Sequence, residues 1–261
     1  MTQLVGILNL TPDSFSGDGI HLKTRDIAPR IDGMIEDGAS VIDIGAESTR
    51  PKASLLTPEE EWQRLIPVLE AVKGSAQKVR FSVDTRHVQT ARKAIEAGFA
   101  LVNDVSGGAD SDMIRLARDS DCILVLMHSL TIPADPTRTL AANTDPVEEV
   151  HAWGKRLLER AEKEGLNRSR IVLDPGIGFG KTAEQSLALI KHIARIKSLG
   201  VPVMVGHSRK SFLSLFTDKP PQERDPETLA VSCYLAAQQV DYLRVHDVKS
   251  HAPMLRIQAA L

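Results

Sequence analysis

The sequence has little cysteine, with two residues in 261. Cys122 falls in an apolar segment that we predict to be a strand, and Cys233 falls in a predicted apolar helix. Both are expected to be small buried hydrophobic residues, which argues against a disulfide and predicts a reducing compartment.

The sequence also lacks long apolar runs and strong net charge. No run approaches the ~20 residues that span a bilayer, and the N-terminal residues show no basic segment followed by an apolar stretch. The net charge is −2 with both signs mixed along the chain, which excludes long-range attraction of nucleic acid or an anionic membrane. We therefore expect a soluble, cytoplasmic protein whose anion binding depends on local clusters.

Eight short apolar runs are present, separated by helical stretches. They are LVGILNL (4–10), SVIDIG (40–45), VRFSVD (79–84), FALVND (99–104), CILVLMH (122–128), RIVLD (170–174), VPVMVG (201–206) and YLRVH (242–246). Continuous Val, Ile and Leu runs are typical of parallel strands buried on both faces. With no linker in the sequence, the alternation predicts a single (β/α)8 TIM barrel over residues 1–261.

Helix and loop signals support this alternation. Thr57 to Glu60 read as a capping box, Asp145-Pro146 and Asp225-Pro226 read as further helix starts, and Pro67 predicts a kink. The other helices are expected near 26–37, 86–97, 111–119, 183–198 and 249–260. The loops after strands one, two and five (11–23, 46–56 and 129–144) are long, which is usually a sign of function.

Nearly every predicted strand ends in, or just before, a chemically capable residue. These are Asn9, Asp43, Asp84, Asn103, His128, Asp174, Lys210 and His246. Active sites of this fold lie at the C-terminal ends of the strands, so these side chains are expected to share one cup.

Three of these residues form an acidic and amide group. Asp84, Asn103 and Asp174 could exchange hydrogen bonds with the edge of a planar, nitrogen-rich heterocycle. The same trio could bind a metal, or some of its members could close loop turns.

A basic group follows the later strands. It consists of Arg50, Ser208, Arg209, Lys210, Arg244 and His246, with Arg244 and His246 on one face of strand eight. Loops after strands seven and eight commonly bind phosphate in this fold, which predicts a phosphorylated or pyrophosphorylated substrate. Arg209 is expected to face solvent instead.

The segment Asp174 to Lys181 (DPGIGFGK) superficially suggests a nucleotide-binding loop. Its spacing fits neither GxGxxG nor GxxxxGK[ST], so its glycines more plausibly form a tight turn that places Phe179 over a pocket. A histidine metal site is also disfavoured, because strand one carries Asn9-Leu10-Thr11 instead of a His-x-His pair. His128 is expected to be packed or hydrogen-bonded at the rim.

Seven motifs, in order and over nearly the whole chain, closely resemble the dihydropteroate synthase family. They are GILNLTPDSFSGDG, DIGAESTRP, SVDTR, NDVSGG, LDPGIGFGK, SRKSF and LRVHDV. The resemblance implies a sulfonamide-sensitive class of transferase that condenses 6-hydroxymethyl-7,8-dihydropterin pyrophosphate with 4-aminobenzoate. It further implies a dissociative, SN1-like path, a requirement for Mg2+ and a homodimer.

The resemblance also implies roles for particular residues. Pterin contacts are expected from Asp84, Asn103, Met127, Asp174, Lys210 and Arg244. Asn9, Arg50, Arg244 and His246 correspond to the pyrophosphate groups, and Asn9 also to the magnesium contact. Phe15, Thr49, Pro51, Phe179, Lys210 and Ser211 correspond to the aminobenzoate side, while Lys210, Asp84, Arg244 and Arg50 are the expected catalytic residues.

The chain departs from the family at three loops. The first loop reads Ser-Gly-Asp-Gly, which displaces its acidic residue to Asp18, Lys52 replaces a usual glycine, and the segment after His128 is atypical. Two alternatives stay open beside the synthase. One is a methyltetrahydrofolate-dependent corrinoid methyltransferase, and the other is a pterin-binding paralogue without catalysis.

Overall fold

A computed structural model describes residues 2–10, 24–48 and 55–260, in which eight strands alternate with ten α-helices. The strands are β1 (Gln3–Asn9), β2 (Val41–Gly45), β3 (Arg80–Asp84), β4 (Leu101–Asp104), β5 (Ile123–Met127), β6 (Ile171–Asp174), β7 (Met204–Val205) and β8 (Tyr242–Val245). The helices are α1 (Thr24–Glu36), α2 (Pro58–Leu65), α3 (Leu69–Ser75), α4 (Val88–Glu96), α5 (Ser111–Arg118), α6 (Pro146–Lys163), α7 (Ala183–Lys191), α8 (Ile193–Lys197), α9 (Asp225–Ala237) and α10 (Val248–Ala260). All eight predicted strands are present.

The strands form one parallel sheet that closes on itself. Its order is β6-β5-β4-β3-β2-β1-β8-β7, with β1 paired to both β2 and β8. In the described chain β6 and β7 are joined by an isolated parallel bridge between Leu173 and Val203, where the Leu173 N–H donates to Pro202 O at 2.9 Å. The predicted (β/α)8 barrel, with long loops after β1, β2 and β5, is therefore confirmed.

The inside of the barrel is filled in layers. An apolar layer consists of Val5, Val41, Leu101, Val125, Val172, Met204 and Tyr242. Strand side chains alternate between faces, so the residue two positions further along each strand points inward one layer higher. That next layer is Ile7, Asp43, Asn103, Met127, Asp174, Gly206 and Arg244, which brings polar groups to the C-terminal mouth.

All three predicted helix starts are present, and two of them have a side-chain cap. At α2 the Glu60 N–H donates to Thr57 Oγ1 (3.2 Å) and the Thr57 N–H donates to Glu60 Oε2 (2.8 Å), which completes the capping box. Asp145 accepts from the Val147 N–H at 2.8 Å and caps α6. Helix α9 does begin at Asp225, but this carboxylate does not cap the helix and instead forms an ion pair with Arg209.

Several other predictions change in detail. The chain around Pro67 is a short 3-10 helix (Ile66–Val68) between α2 and α3, as a proline-induced kink requires. The helix predicted over 183–198 is interrupted at His192. Cys122 is buried as expected, whereas Cys233 is exposed, because it lies on the solvent side of α9. None of the helices in the described ranges combines the length and the apolar character of a membrane span.

Candidate active site

A pocket opens at the C-terminal mouth of the barrel. It is lined by Ile7, Asp84, Asn103, Val105, Met127, Asp174, Phe179, Gly206, Ser208, Lys210, Arg244 and His246. Nine of these were named as site residues or as members of the basic group from the sequence. The structure therefore brings the acidic and amide group and most of the basic group into one cavity, at the end of the barrel where the fold predicts it.

The remaining predicted residues lie in different places. Asn9 ends β1, and its Oδ1 and Asp84 Oδ2 both lie 3.6 Å from the point where a Cβ would stand on Gly45, so the two side chains are neighbours. Ser211 is exposed at the start of a 3-10 helix (Ser211–Leu215) and does not line the pocket. Four others lie outside the described residues: Phe15, Thr49, Arg50 and Pro51.

Asp43 connects the polar groups of the pocket floor. Its Oδ2 accepts a hydrogen bond from Arg244 Nε at 2.6 Å and another from Asn103 Nδ2 at 3.0 Å. Arg244 Nη2 in turn donates to Asp84 Oδ2 at 2.8 Å. Asp43 itself is 1% exposed. One buried carboxylate thus fixes the orientation of the amide and the guanidinium.

Burial changes the acidity of the pocket carboxylates. Removal from water raises the pKa of Asp84 to about 7, although the Arg244 guanidinium opposes the rise. Burial also raises the pKa of Asp174, against the hydrogen bond of 2.7 Å that its Oδ1 accepts from the Gly176 N–H. Both carboxyl groups therefore titrate at higher pH than an exposed aspartate, as is common for carboxyl groups in functional pockets.

Lys210 and Phe179 form the rim on the β6 and β7 side. Lys210 Nζ lies 4.1 Å from the centre of the Phe179 ring, within the range of a cation–π contact. Its ammonium also opposes the raised pKa of Asp174. The predicted turn is confirmed, because Gly176, Gly178 and Gly180 all have positive φ and the loop places Phe179 on the pocket.

His246 is oriented by a serine that precedes Lys210. The His246 backbone N–H donates to Ser208 Oγ at 3.3 Å, and the hydroxyl lies 2.8 Å from His246 Nδ1. These two contacts hold the imidazole of His246 in a fixed orientation at the pocket.

Arg209 does not behave as expected. Its side chain is 12% exposed and forms paired hydrogen bonds to Asp225 at 2.7 and 2.8 Å, so the solvent-facing prediction is wrong. Its backbone has φ of 58°, and its N–H donates to Thr228 Oγ1 at 3.0 Å. This ion pair anchors the loop after β7 to the start of α9 and leaves Lys210 to line the pocket.

His128 is packed, as predicted. Its Nδ1 lies 2.8 Å from Lys181 Nζ and its ring meets the Trp153 ring edge-on at 5.1 Å between centroids. Burial and the Lys181 cation lower the pKa of His128 to about 3. His128 is therefore neutral, and its Nδ1 can accept a hydrogen bond from the Lys181 ammonium, which has no lone pair. Across the described ranges, no group of three or more His, Cys, Asp or Glu side chains is placed to hold a metal ion.

Sequence reasoning missed the positioning role of Asp43 and the apolar lining from Ile7 and Val105. Asp43 was identified as a strand-end residue, but nothing in its local sequence indicates partners 60 and 201 residues away. The signal that could have found Ile7 is the period of two along β1, which places it one layer above Val5.

Comparison with known proteins agrees with this geometry. Residues 5–246 match the family model described as pterin binding enzyme. A folate synthesis bifunctional protein of Chlamydia muridarum is 41% identical over 266 residues, which cover 99% of this chain and 59% of the relative. The chain thus spans less than two thirds of that longer relative.

Two solved structures resemble the chain over nearly their whole length. Dihydropteroate synthase from Anaplasma phagocytophilum with bound 6-hydroxymethylpterin-monophosphate has a TM-score of 0.91 and 39% identity, covering 99% of this chain and 98% of that one. The Thermus thermophilus enzyme in complex with 4-aminobenzoate has a TM-score of 0.87 and 38% identity, covering 100% and 94%. The chain belongs to the family of pterin-binding enzymes.

Proposed function

We propose that this chain is a dihydropteroate synthase. It would join the amino nitrogen of 4-aminobenzoate to the exocyclic methylene of 6-hydroxymethyl-7,8-dihydropterin pyrophosphate. A C–N bond forms, the C–O bond to the diphosphate breaks, and the amine loses one proton. The observation that carries the proposal is that Asp84, Asn103 and Asp174 line the same pocket as Lys210 and Arg244.

The acidic side of this pocket suits a dihydropterin ring. Asp84 and Asp174 offer acceptors for ring and amino N–H groups, while Asn103 can both donate and accept. Met127 supplies an apolar floor, and Lys210 can donate to a ring carbonyl. Arg244 remains the proposed stacking partner of the ring, held from below by Asp43 and Asp84. Rigid placement of these groups orients the methylene for attack.

The basic side suits the departing diphosphate. The imidazole of His246 and the guanidinium of Arg244 can stabilise the negative charge that develops as the C–O bond breaks. Asn9 beside Asp84 extends this side toward β1, and Arg50 is proposed to complete it. Stabilising the leaving group and the electron-rich ring together favours an SN1-like path with a cationic methylene.

The proposed cofactor is Mg2+, and the donor at β1 fits it. Mg2+ is usually held through one or two protein oxygens together with substrate phosphates. Asn9 Oδ1 is such an oxygen at the mouth of the barrel. A bound magnesium ion would supply charge neutralisation for the diphosphate. Asp18 lies outside the described residues.

The amine substrate is proposed to bind at the rim formed by Lys210 and Phe179. Phe179 offers an aromatic face, and the Lys210 ammonium stands above that face. Ser211 follows Lys210 and is exposed, which suits a contact with the aminobenzoate carboxylate at the outer rim. Phe15, Thr49 and Pro51 are proposed to cover the same substrate.

We also propose that the enzyme is a homodimer in the cytoplasm. The neighbouring exposed Leu215 and Phe216, at 40% and 63% exposure, are apolar surface that another subunit could cover. The two cysteines are both free, which suits a reducing compartment.

The test is to mix the purified chain with both substrates and Mg2+ and to measure pyrophosphate and dihydropteroate. The synthase forms both products in equal amounts, and Asp84→Asn loses most of this activity while keeping its fold. Pterin binding without any product would identify a non-catalytic binding protein. Methyl transfer from methyltetrahydrofolate to a corrinoid would instead support the methyltransferase.

A further inference from the structure

A buried lysine stands behind the pocket and takes no part in the chemistry proposed above. Lys181 is 6% exposed and follows the loop of residues 175–180. Its Nζ lies 2.9 Å from Gly176 O, 2.9 Å from Phe179 O, 3.3 Å from His128 O and 2.8 Å from His128 Nδ1. One ammonium group therefore binds two carbonyls of its own loop and two acceptors of the loop after β5.

The surroundings of Lys181 require a donor at this position. A buried carbonyl or imidazole nitrogen that loses its partner costs about 1–3 kcal/mol, and here four acceptors converge on one group. Burial lowers the pKa of Lys181 to about 7, although Asp174 opposes this. The acceptors favour the ammonium, because an ammonium carries three N–H donors and no lone pair.

The loop can adopt this shape because it has glycine at the positions where a side chain would have no room. A Cβ on Gly176 would lie 1.9 Å from His128 O, and a Cβ on Gly180 would lie 2.5 Å from the Leu130 side chain. The loops after β5 and β6 are thus in direct contact. Lys181 is the cation that joins them from within.

Two pocket residues, Asp174 and Phe179, are connected to Lys181 through hydrogen bonds of the loop backbone. Gly176 donates its N–H to Asp174 Oδ1 at 2.7 Å while its carbonyl accepts from Lys181. The Phe179 carbonyl accepts from Lys181 while the Phe179 ring lies under Lys210 Nζ at 4.1 Å. The ammonium therefore holds the acidic contact proposed for the pterin and the aromatic face proposed for the amine.

We propose that Lys181 is a positioning residue, which sets Asp174 and Phe179 for the two substrates without touching either one. This inference rests on the proposed synthase function for its kinetic consequences. Its structural consequence, a loop 175–180 held by the ammonium, is independent of that function.

The experiment compares Lys181→Met with Lys191→Met, an exposed lysine at the end of α7. Three readouts are taken: amide hydrogen exchange in residues 174–181, calorimetric affinity for a pterin ligand, and the kinetic constants for both substrates. We expect faster exchange, pterin affinity reduced by about tenfold or more, and a higher KM for 4-aminobenzoate in Lys181→Met. Lys191→Met should match the wild type in all three.

A second variant covers the case in which Lys181→Met does not fold. Lys181→Ala leaves space for a small amine, so propylammonium should restore binding and turnover in a saturable manner. Tetramethylammonium, which has no N–H donor, should restore nothing. Rescue by both cations, or by neither, would overturn the proposal.

Two further outcomes separate this inference from the proposed function. Normal exchange and normal pterin affinity in folded Lys181→Met would show that Lys181 positions nothing. If the wild type neither binds pterin nor forms product, the synthase proposal fails. The exchange of residues 174–181 then decides alone whether the ammonium holds the loop.

Discussion

Asp43 shows how much of this site depends on one carboxylate. Its Oδ2 serves both Arg244 and Asn103, while its buried Oδ1 has no hydrogen-bond partner among the described residues. Ser82, its register partner on β3, also has a buried hydroxyl with no partner there. A buried charge in this position is costly unless its donors are held firmly, so the carboxylate and its two donors stabilise one another.

Replacing Asp43 with Asn should weaken pterin binding although Asp43 does not line the pocket. The amide must direct its own donor toward Arg244 or Asn103, and loss of a charge-assisted hydrogen bond costs roughly 1.5–3 kcal/mol. We expect about 10- to 100-fold lower affinity for a pterin ligand by calorimetry. Asp119→Asn, at an exposed aspartate, is the matched control. Equal affinity in both variants would contradict the role assigned to Asp43.

Substitutions of Lys210 and Ser211 should affect the two substrates differently. Lys210→Ala should weaken pterin affinity and slow the condensation together, because its ammonium is proposed to serve both substrates. Ser211→Ala should mainly raise the KM for 4-aminobenzoate, since Ser211 lies outside the pocket lining. Calorimetry with a pterin ligand and steady-state kinetics check both variants. Normal pterin binding by Lys210→Ala would show that the pocket assignment is wrong.

Protonation of His207 should lower the free energy of unfolding at acid pH. Burial lowers its pKa to about 4, below the ~6.5 of an exposed histidine. The unfolded chain therefore binds the extra proton between these values. Stability due to neutral His207 is present above about pH 6.5 and is lost as pH falls toward 4.

The measurement is the free energy of unfolding at pH 7.5 and 4.5 for the wild type and His207→Gln. Glutamine can still reach Ser232, which lies 2.7 Å from His207 Nε2, but it has no proton to gain. The drop should be smaller in the variant by roughly 2 kcal/mol. Buried carboxylates with raised pKa, such as Asp84, act in the opposite direction and cancel in this comparison. Parallel pH curves would contradict the role of His207.

At the scale of elements, glycine is required by the loop conformation at one position and is not required in a helix at another. Gly176 has φ of 67° and no space for a Cβ, whereas Gly33 lies in α1 with nothing within 4 Å of a Cβ. The first is required by the contact between the loops after β5 and β6. The second only raises the entropy of the unfolded chain.

Gly176→Ala should therefore destabilise the protein and Gly33→Ala should stabilise it. The left-handed conformation costs an alanine about 1–2 kcal/mol, and the contact with His128 O adds to this cost. Alanine in a helix gains about 0.5–1 kcal/mol over glycine. Urea unfolding of both variants measures the two signs. A neutral Gly176→Ala would show that the loop shifts easily.

Elements were predictable where their signals are local. The capping box of α2 and the strand runs depend on residues within one element, and the sequence contains all of that information. The ion pair of Arg209 with Asp225 and the exposure of Cys233 depend on which neighbouring element each side chain contacts. Local periodicity does not determine those contacts. The predictions of a solvent-facing Arg209 and a buried Cys233 were therefore wrong.

At the scale of the molecule, every second residue of a strand faces the barrel interior, and closure of the barrel brings these residues together in one site. An apolar layer lies below a polar layer inside the barrel, which is why five pocket residues could be predicted from strand ends: Asp84, Asn103, Asp174, Lys210 and His246. Contacts between distant strands, such as Arg244 with Asp43, become visible only when β8 meets β1 and β2 in three dimensions.

The barrel closes through one bridge between β6 and β7, whereas every other neighbouring pair shares at least two register positions. Asp174 ends β6 and Lys210 follows β7, so the two stand on opposite sides of this closure. A molecule that binds both residues spans the junction, so its binding should oppose separation of β6 from β7. Local opening at the Leu173 bridge should therefore be less frequent when such a ligand is bound.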